Sequence, residues 1–249
     1  MPDFAIYPSL EGRSVFVSGG GSGIGASIVE HFAQQRAKVA FVDIDEAAST
    51  ALAAKTGALY RHCDIRDVAA YQAVLDEIAR AHGSITVLVN NAARDDRHKL
   101  EEVTPAFWDE RIAVNLRHAY FAIQSVVPGM KRAGGGSIVN FSSVSYHVMT
   151  PNLSVYQAAK AAVIGMTRGL ARDLGPDGIR LNAITPGWIM TQRQIDLWLT
   201  PESENALIAA QCLKEKVYPP DIARMVLWLA ADDSRLVTAQ NFTVDGGRS

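Results

Sequence analysis

Tyr156 and Lys160 stand four residues apart in the stretch Tyr-Gln-Ala-Ala-Lys, a spacing that puts both on one face of a helix. A tyrosine hydroxyl with a pKa near 10 is a poor base at neutral pH, and a neighbouring ammonium favours the phenolate. The pair can then take the proton of an alcohol as a general base. A second constellation lies near the N-terminus, where residues 18–25 read Ser-Gly-Gly-Gly-Ser-Gly-Ile-Gly. Such a run between a strand and a helix lets the backbone turn sharply and approach a pyrophosphate, which the helix N-terminus then receives. Asp43 follows 18 residues after Gly25. A carboxylate there can accept a hydrogen bond from the ribose 2′-OH of NAD and would repel the 2′-phosphate of NADP. Position 20 is Gly and position 44 is Ile, so neither supplies a cation for that phosphate. NAD is the expected cofactor, with NADP disfavoured by Asp43. Asp64 has two readings, a neighbour of the adenine amino group or the N-cap of the next helix.

These residues need a frame, and apolar runs alternate with helical patterns along the whole chain. Strands are predicted at 14–18, 38–43, 59–63, 85–90, 137–141, 179–184 and 241–244. Helices are predicted at 24–35, 46–55, 67–81, 104–132, 154–174 and 221–230, with Pro128 expected to kink or end the fourth. Residues 188–216 read as an irregular, helix-rich insertion on the substrate side. The βαβα rhythm predicts an α/β fold, a single domain over 1–249 with a doubly wound parallel seven-stranded sheet and helices on both faces. No linker, repeat or low-complexity tract divides it.

The bulk composition excludes other classes. With 24 basic and 26 acidic residues and no basic block, nucleic acid is not an expected partner. The two cysteines, Cys63 and Cys212, have no disulfide or metal-site spacing, so no metal is expected. No apolar run is long enough to span a bilayer, and the stretch MPDFAIYPSLEGR lacks the pattern of a signal peptide. The expectation is a cytoplasmic protein.

Taken in order, several motifs resemble the short-chain dehydrogenase/reductase family over essentially the whole length. They are the glycine loop, Asn90-Asn91-Ala92-Ala93, Asn115, Ser142-Ser143, Tyr156 to Lys160, and Pro186-Gly187. The resemblance implies a Rossmann fold, a homotetramer and four catalytic residues. Ser143 would hydrogen-bond the reacting oxygen and Tyr156 would be the acid/base. Lys160 would hold the nicotinamide ribose and tune Tyr156, and Asn115 would anchor a proton-relay water. It also implies that the dinucleotide lies against Ser18, Gly19, Gly21, Ser22, Gly23, Ile24 and Gly25. Beyond that loop it would meet Asp43, Ile44, Cys63, Asp64, Ile65, Asn91, Ala92 and Ala93. At the nicotinamide end it would meet Tyr156, Lys160, Pro186, Gly187, Ile189 and Thr191. Two positions depart from the family pattern: Ser18 replaces Thr, and Ala93 replaces Gly, where a methyl could crowd the backbone beside the cofactor.

Shorter stretches, Ala5–Leu10, Asp95–Leu100, Trp108–Arg111 and Ala210–Lys214, are similar to those of bacterial aldose 1-dehydrogenases acting on D-xylose, L-arabinose or D-galactose. That resemblance implies oxidation of an anomeric hydroxyl to an aldonolactone. Polar residues after the fourth, fifth and sixth strands are the candidates for holding such a sugar: Arg94, Asp95, Ser143, Ser145, Tyr146, His147, Asn152, Tyr156, Trp188 and Gln192. Ser145 and Gln192 lead that set. Arg97 and His98 are read as braces of their loop or of a subunit contact, and Trp198, Trp228 and Phe242 as packing. The alternatives are oxidation of a sugar acid or polyol, an NADPH-linked carbonyl reductase, and a non-enzymatic dinucleotide sensor.

Overall fold

Strand β1 (Ser14–Ser18) is apolar at its centre, and Val15, Phe16 and Val17 are fully buried. It lies mid-sheet in a computed structural model that describes residues 4–249; positions 1–3 of the expected domain lie outside the described residues. The other strands are β2 (Lys38–Asp43), β3 (Leu59–His62), β4 (Val87–Asn90), β5 (Gly136–Phe141), β6 (Ile179–Pro186) and β7 (Asn241–Val244). All seven are parallel, in the order β3-β2-β1-β4-β5-β6-β7. The order reverses between β1 and β4, and the carboxyl ends of the strands flanking such a switch point open into a crevice.

The helices are α1 (Gly23–Gln34), α2 (Glu46–Thr56), α3 (Val68–His82), α4 (Pro105–Ile112), α5 (His118–Arg132), α6 (Ser154–Leu174), α7 (Gln192–Trp198), α8 (Pro201–Ala210) and α9 (Pro219–Ala230). Side chains alternate across the sheet with period two. Val15, Val17, Val39, Phe41, Val87 and Val89 face one layer, against Ile28 and Phe32 of α1 and Ile222 and Val226 of α9. Phe16, Ala40, Val42, Leu88 and Ile138 face the other, against Tyr71, Leu75 and Ile78 of α3 and Ile123, Val126 and Met130 of α5. Each fully buried Phe or Leu contributes roughly 1.5–3 kcal/mol, so the two layers pin the register that sets the crevice. Trp228 and Phe242 pack edge to face at 5.8 Å on the outer side of the first layer.

Three expectations need correction. Pro128 does not end the helix: α5 continues through it to Arg132, accommodating both the missing N–H and the pyrrolidine ring. The irregularity falls instead at 113–117, a π turn joining α4 to α5. Such wide turns occur inside α-helices, frequently at functional sites. Asp64 is not a helix cap: Asp67 accepts from the Ala70 N–H at 3.0 Å and caps α3. The insertion is also more regular than expected, with α7 capped by Thr191 and α8 by Thr200.

Candidate active site

A cleft of about 670 Å³ runs along the carboxyl ends of the strands. At one end lies the glycine loop. Ser22 makes no side-chain cap at the start of α1, so the first N–H groups of that helix stay available to an anion. A Cβ on Gly25 would collide with the Gly19 carbonyl, so only glycine permits this turn to close. Ser18 Oγ accepts from the Asn91 and Ala92 N–H groups, both at 3.2 Å. Asn91 Nδ2 in turn donates to the carbonyls of Ser18 at 3.1 Å and Gly19 at 2.9 Å. The loop after β4 thereby clamps the loop after β1. Ala93 lines the cleft and does not adopt the left-handed backbone that would favour glycine.

Asp43 sits at the end of β2 with its carboxylate fixed by the chain: Oδ2 accepts from Gly21 N–H at 2.8 Å and Oδ1 from Asp45 N–H at 3.0 Å. A Cβ on Gly20 would lie 2.7 Å from Phe41, so that position has no room for a basic side chain. Asp64 lines the cleft and is held by Arg66 at 2.9 Å, which keeps its carboxyl below the usual range. Arg66 also pairs with Glu110 at 2.6 Å. Burial pushes the Cys63 thiol up to about 11, with Asp64 and Asp67 adding to the effect. It is a wall, not a nucleophile. These residues fit a dinucleotide: a glycine cradle, free helix N–H groups and an oriented carboxylate.

At the other end, Tyr156 and Lys160 lie on α6 and line the cleft with Ser143. Burial raises the Tyr156 hydroxyl above its ordinary value, and Asp95 adds to the rise. A hydrogen bond from Ser143 and the charge of Arg97 pull it the other way. Burial drives Lys160 down to about 7. Its Nζ donates to the Phe141 carbonyl at 2.8 Å and lies 5.6 Å from the Tyr156 ring centre. In this state the expected phenolate–ammonium pair is therefore opposed by desolvation, and both groups are driven toward neutrality. His118, fully buried, is pushed down to about 3 by burial and then by Lys160.

Asn115 lies in the π turn, 1% exposed, and does not line the cleft. Its side chain accepts from Arg94 N–H at 2.9 Å and donates to the carbonyls of Arg94 at 3.1 Å and Arg111 at 2.9 Å. Its amide is thus engaged with main chain and fixes the loop after β4. Ser18, Gly21 and Gly25 also lie outside the lining, as the frame of the glycine loop; the other expected dinucleotide residues border the cleft.

Of the sugar candidates, Arg94, Asp95, Ser143, Ser145, Tyr156, Trp188 and Gln192 line the cleft. Tyr146, His147 and Asn152 do not. His147 stacks on Tyr146 at 4.1 Å, and Asn152 adopts a positive φ with its carbonyl accepting from His98 N–H. Ser145 Oγ is buried and has no hydrogen-bond partner among the described residues. Trp188 Nε1 donates to Gln194 at 2.8 Å, and Gln194 Nε2 donates to Asp95 at 3.0 Å, so α7 is tied across the cleft. Gln194 and Trp198 line the cleft too, although sequence reasoning does not select them for the site; their i, i+4 spacing on α7 is the available signal. Trp198, expected to pack in a core or an interface, is not in the core: it is 39% exposed in the single chain and lines the cleft. Among the described residues no His, Cys, Asp or Glu cluster could hold a metal ion, and no helix is long and apolar enough to cross a membrane.

A family described as enoyl-(acyl carrier protein) reductase matches residues 19–249. The chain is 50% identical to a D-xylose 1-dehydrogenase of Caulobacter vibrioides, with 98% of each chain covered. It is 51% identical to a probable galactose dehydrogenase of Rhizobium meliloti, over 97% of this chain and 96% of that one. A crystal structure provisionally described as a short-chain alcohol dehydrogenase from Sinorhizobium meliloti 1021 superposes with a TM-score of 0.89 and 30% identity. The superposition covers 97% of this chain and 98% of that one.

Proposed function

Because the chain belongs to the short-chain dehydrogenase/reductase family, and is an oxidoreductase acting on CH–OH groups with a nicotinamide dinucleotide, we propose that it is an NAD-dependent aldose 1-dehydrogenase. The observation that carries this reading is the placement of Ser143, Tyr156 and Lys160 in one cleft beside the unpartnered, buried Ser145 hydroxyl. A buried hydroxyl without a partner is costly unless a ligand supplies one. The polar wall of Ser145, Asp95 and Gln192 suits a polyhydroxylated ring better than an acyl chain.

Ser143 donates to the anomeric oxygen and orients the hydroxyl toward Tyr156. Tyr156, as phenolate, accepts the hydroxyl proton. The dinucleotide, when bound, supplies the acceptor for the hydride that leaves C1. The C1–O bond becomes the carbonyl of an aldonolactone, and a hydride and one proton have left the sugar. Ser143 and Tyr156 hydrogen bonds act on the oxygen as its charge changes, without reorganisation. Lys160, with one N–H on Phe141, has donors left for a ribose hydroxyl. The preference for NAD rests on Asp43, whose fixed carboxylate would face a 2′-phosphate charge. Arg66 is already paired with Asp64 and Glu110.

The test is the initial rate of reduced cofactor formation with D-xylose, L-arabinose, D-galactose, D-glucose and open-chain polyols, each with NAD and NADP. Rapid NAD reduction with one or two aldoses is expected. Silence on every aldose would overturn the sugar reading and leave another alcohol as the substrate.

A further inference from the structure

Among the described residues, Arg66, Arg94, Arg111 and Arg193 around the cleft have carboxylate partners, whereas Arg97 and Arg248 pair with none. In Arg97 the Nη1 is shielded from solvent and has no hydrogen-bond partner among the described residues. From the sequence, Arg97 and His98 are read as braces of their loop or of a subunit contact. His98 braces the loop, with its N–H on the Asn152 carbonyl at 2.9 Å and its ring against Ser154 at 3.3 Å. Arg97 instead lines the cleft, and its guanidinium carbon lies 5.1 Å from the centre of the Trp198 ring. A cation–π contact at that distance restrains the side chain without using its N–H groups. A restrained cation with a shielded, unused donor on the substrate side of a cleft is arranged for an acceptor that arrives with the ligand.

We propose that Arg97 is a specificity-determining residue that donates a hydrogen bond to a second oxygen of the substrate, close to the carbon being oxidised, and that Trp198 holds it in position. The inference rests on the proposed function for the identity of the substrate, since every aldose carries such an oxygen. Asp95 lies on the same wall and would oppose a carboxylate, so the fitting ligand is a neutral polyol. The unpartnered Ser145 hydroxyl supplies a second contact for the same ring. Trp198 comes from α7 and Arg97 from the loop after β4, so the subsite exists only while these two segments are tied together. Gln194 and Arg193 tie them, through Asp95 at 3.0 and 3.3 Å.

The experiment compares wild type with Arg97→Met, Arg97→Lys, Trp198→Leu and Trp198→Phe. It measures kcat and KM for the best aldose, NADH affinity by fluorescence, and Tm. Arg97→Met is expected to raise KM roughly 10- to 100-fold, the loss of one hydrogen bond from a charged donor. Its kcat should stay within about threefold and its NADH affinity should not change. Arg97→Lys should fall between, and if Arg97→Met does not fold, a KM raised severalfold in Arg97→Lys supports the proposal in its place. Trp198→Leu should raise KM severalfold, and Trp198→Phe should restore most of the loss. An unchanged KM, or a fall confined to kcat, overturns the proposal, because the charge would then act only on Tyr156. A parallel loss of NADH affinity also overturns it. If wild type oxidises open-chain polyols but no aldose, the aldose reading falls and the same comparison is made on the polyol. Activity on neither class sinks both ideas.

Discussion

At the dinucleotide end of the cleft, polar side chains are turned onto the protein's own backbone. Ser18 serves two N–H groups after β4, Asn91 serves two carbonyls after β1, and Asp43 receives two N–H groups. The turn of the glycine loop there depends on Gly19 and Gly25, where a Cβ would strike neighbouring backbone. At the substrate end the pattern reverses. Ser145 and Arg97 keep unpartnered polar atoms, and the walls come from a short turn at 144–146 and from α7. A backbone-built end can serve one ligand class whatever the alcohol, whereas a side-chain-built end can change substrate by changing a few residues. Tyr156 and Lys160 stand where the two ends meet.

The largest effect should come from that junction. Tyr156→Phe removes the proton acceptor and should lower kcat by roughly 10²–10⁴-fold. Fluorescence titration should show unchanged NADH affinity; residual turnover within tenfold of wild type would sink the assignment. Next is the backbone end. Gly25→Ala puts a methyl into the Gly19 carbonyl, which cannot yield without moving the loop. It should weaken NADH binding by more than about tenfold, and KM for sugar, measured at saturating NAD, should stay near wild type. A sugar effect as large as the cofactor effect would show that the two ends are not built independently. A smaller change is expected at Asp43. Asp43→Ser should shift the ratio of NAD to NADP efficiency by roughly tenfold toward NADP. Adding Ile44→Arg, at an exposed position, should extend the shift, whereas adding Gly20→Arg should not, because Phe41 occupies that space.

The same contrast explains what the sequence makes legible. The observed bounds of β1, β2 and α6 match the expected ones to the residue, since their apolar periodicity is strong and their ends carry turn or cap residues. Asp43 and the glycine loop are legible because a backbone-built site needs particular residues at particular strand ends. The substrate wall is not legible to the same degree. His147 and Asn152 look like Ser145 as polar loop residues, and only the path of the chain from Ser143 to Ser154 separates them. Trp198 reads as packing because periodicity cannot say which face of a short helix meets a cleft. The π turn at 113–117 leaves no mark in the apolar pattern, yet it decides that the Asn115 amide engages Arg94 and Arg111. Pro128 marks a kink or an end in the sequence, and α5 continues past it to Arg132, so the proline does not terminate the helix.

The smallest effect separates charge from contact at the substrate end. Asp95 does two things: it accepts from Gln194 and Arg193, and its charge raises the Tyr156 hydroxyl. Asp95→Asn keeps an oxygen for Gln194 but removes the charge. In the oxidative direction, efficiency rises with pH as Tyr156 loses its proton. A nearby negative charge disfavours the phenolate, so removing it should move the rising limb of the kcat/KM profile to lower pH. The expected shift is roughly a few tenths of a unit, as suits two charges near a solvated cleft. Arg97→Met removes a charge that lowers the same hydroxyl, so its limb should move to higher pH. Opposite displacements in the two variants would show both charges acting on Tyr156 in addition to their contacts. A limb that stays fixed in both would mean that Asp95 serves only to tie α7 across the cleft.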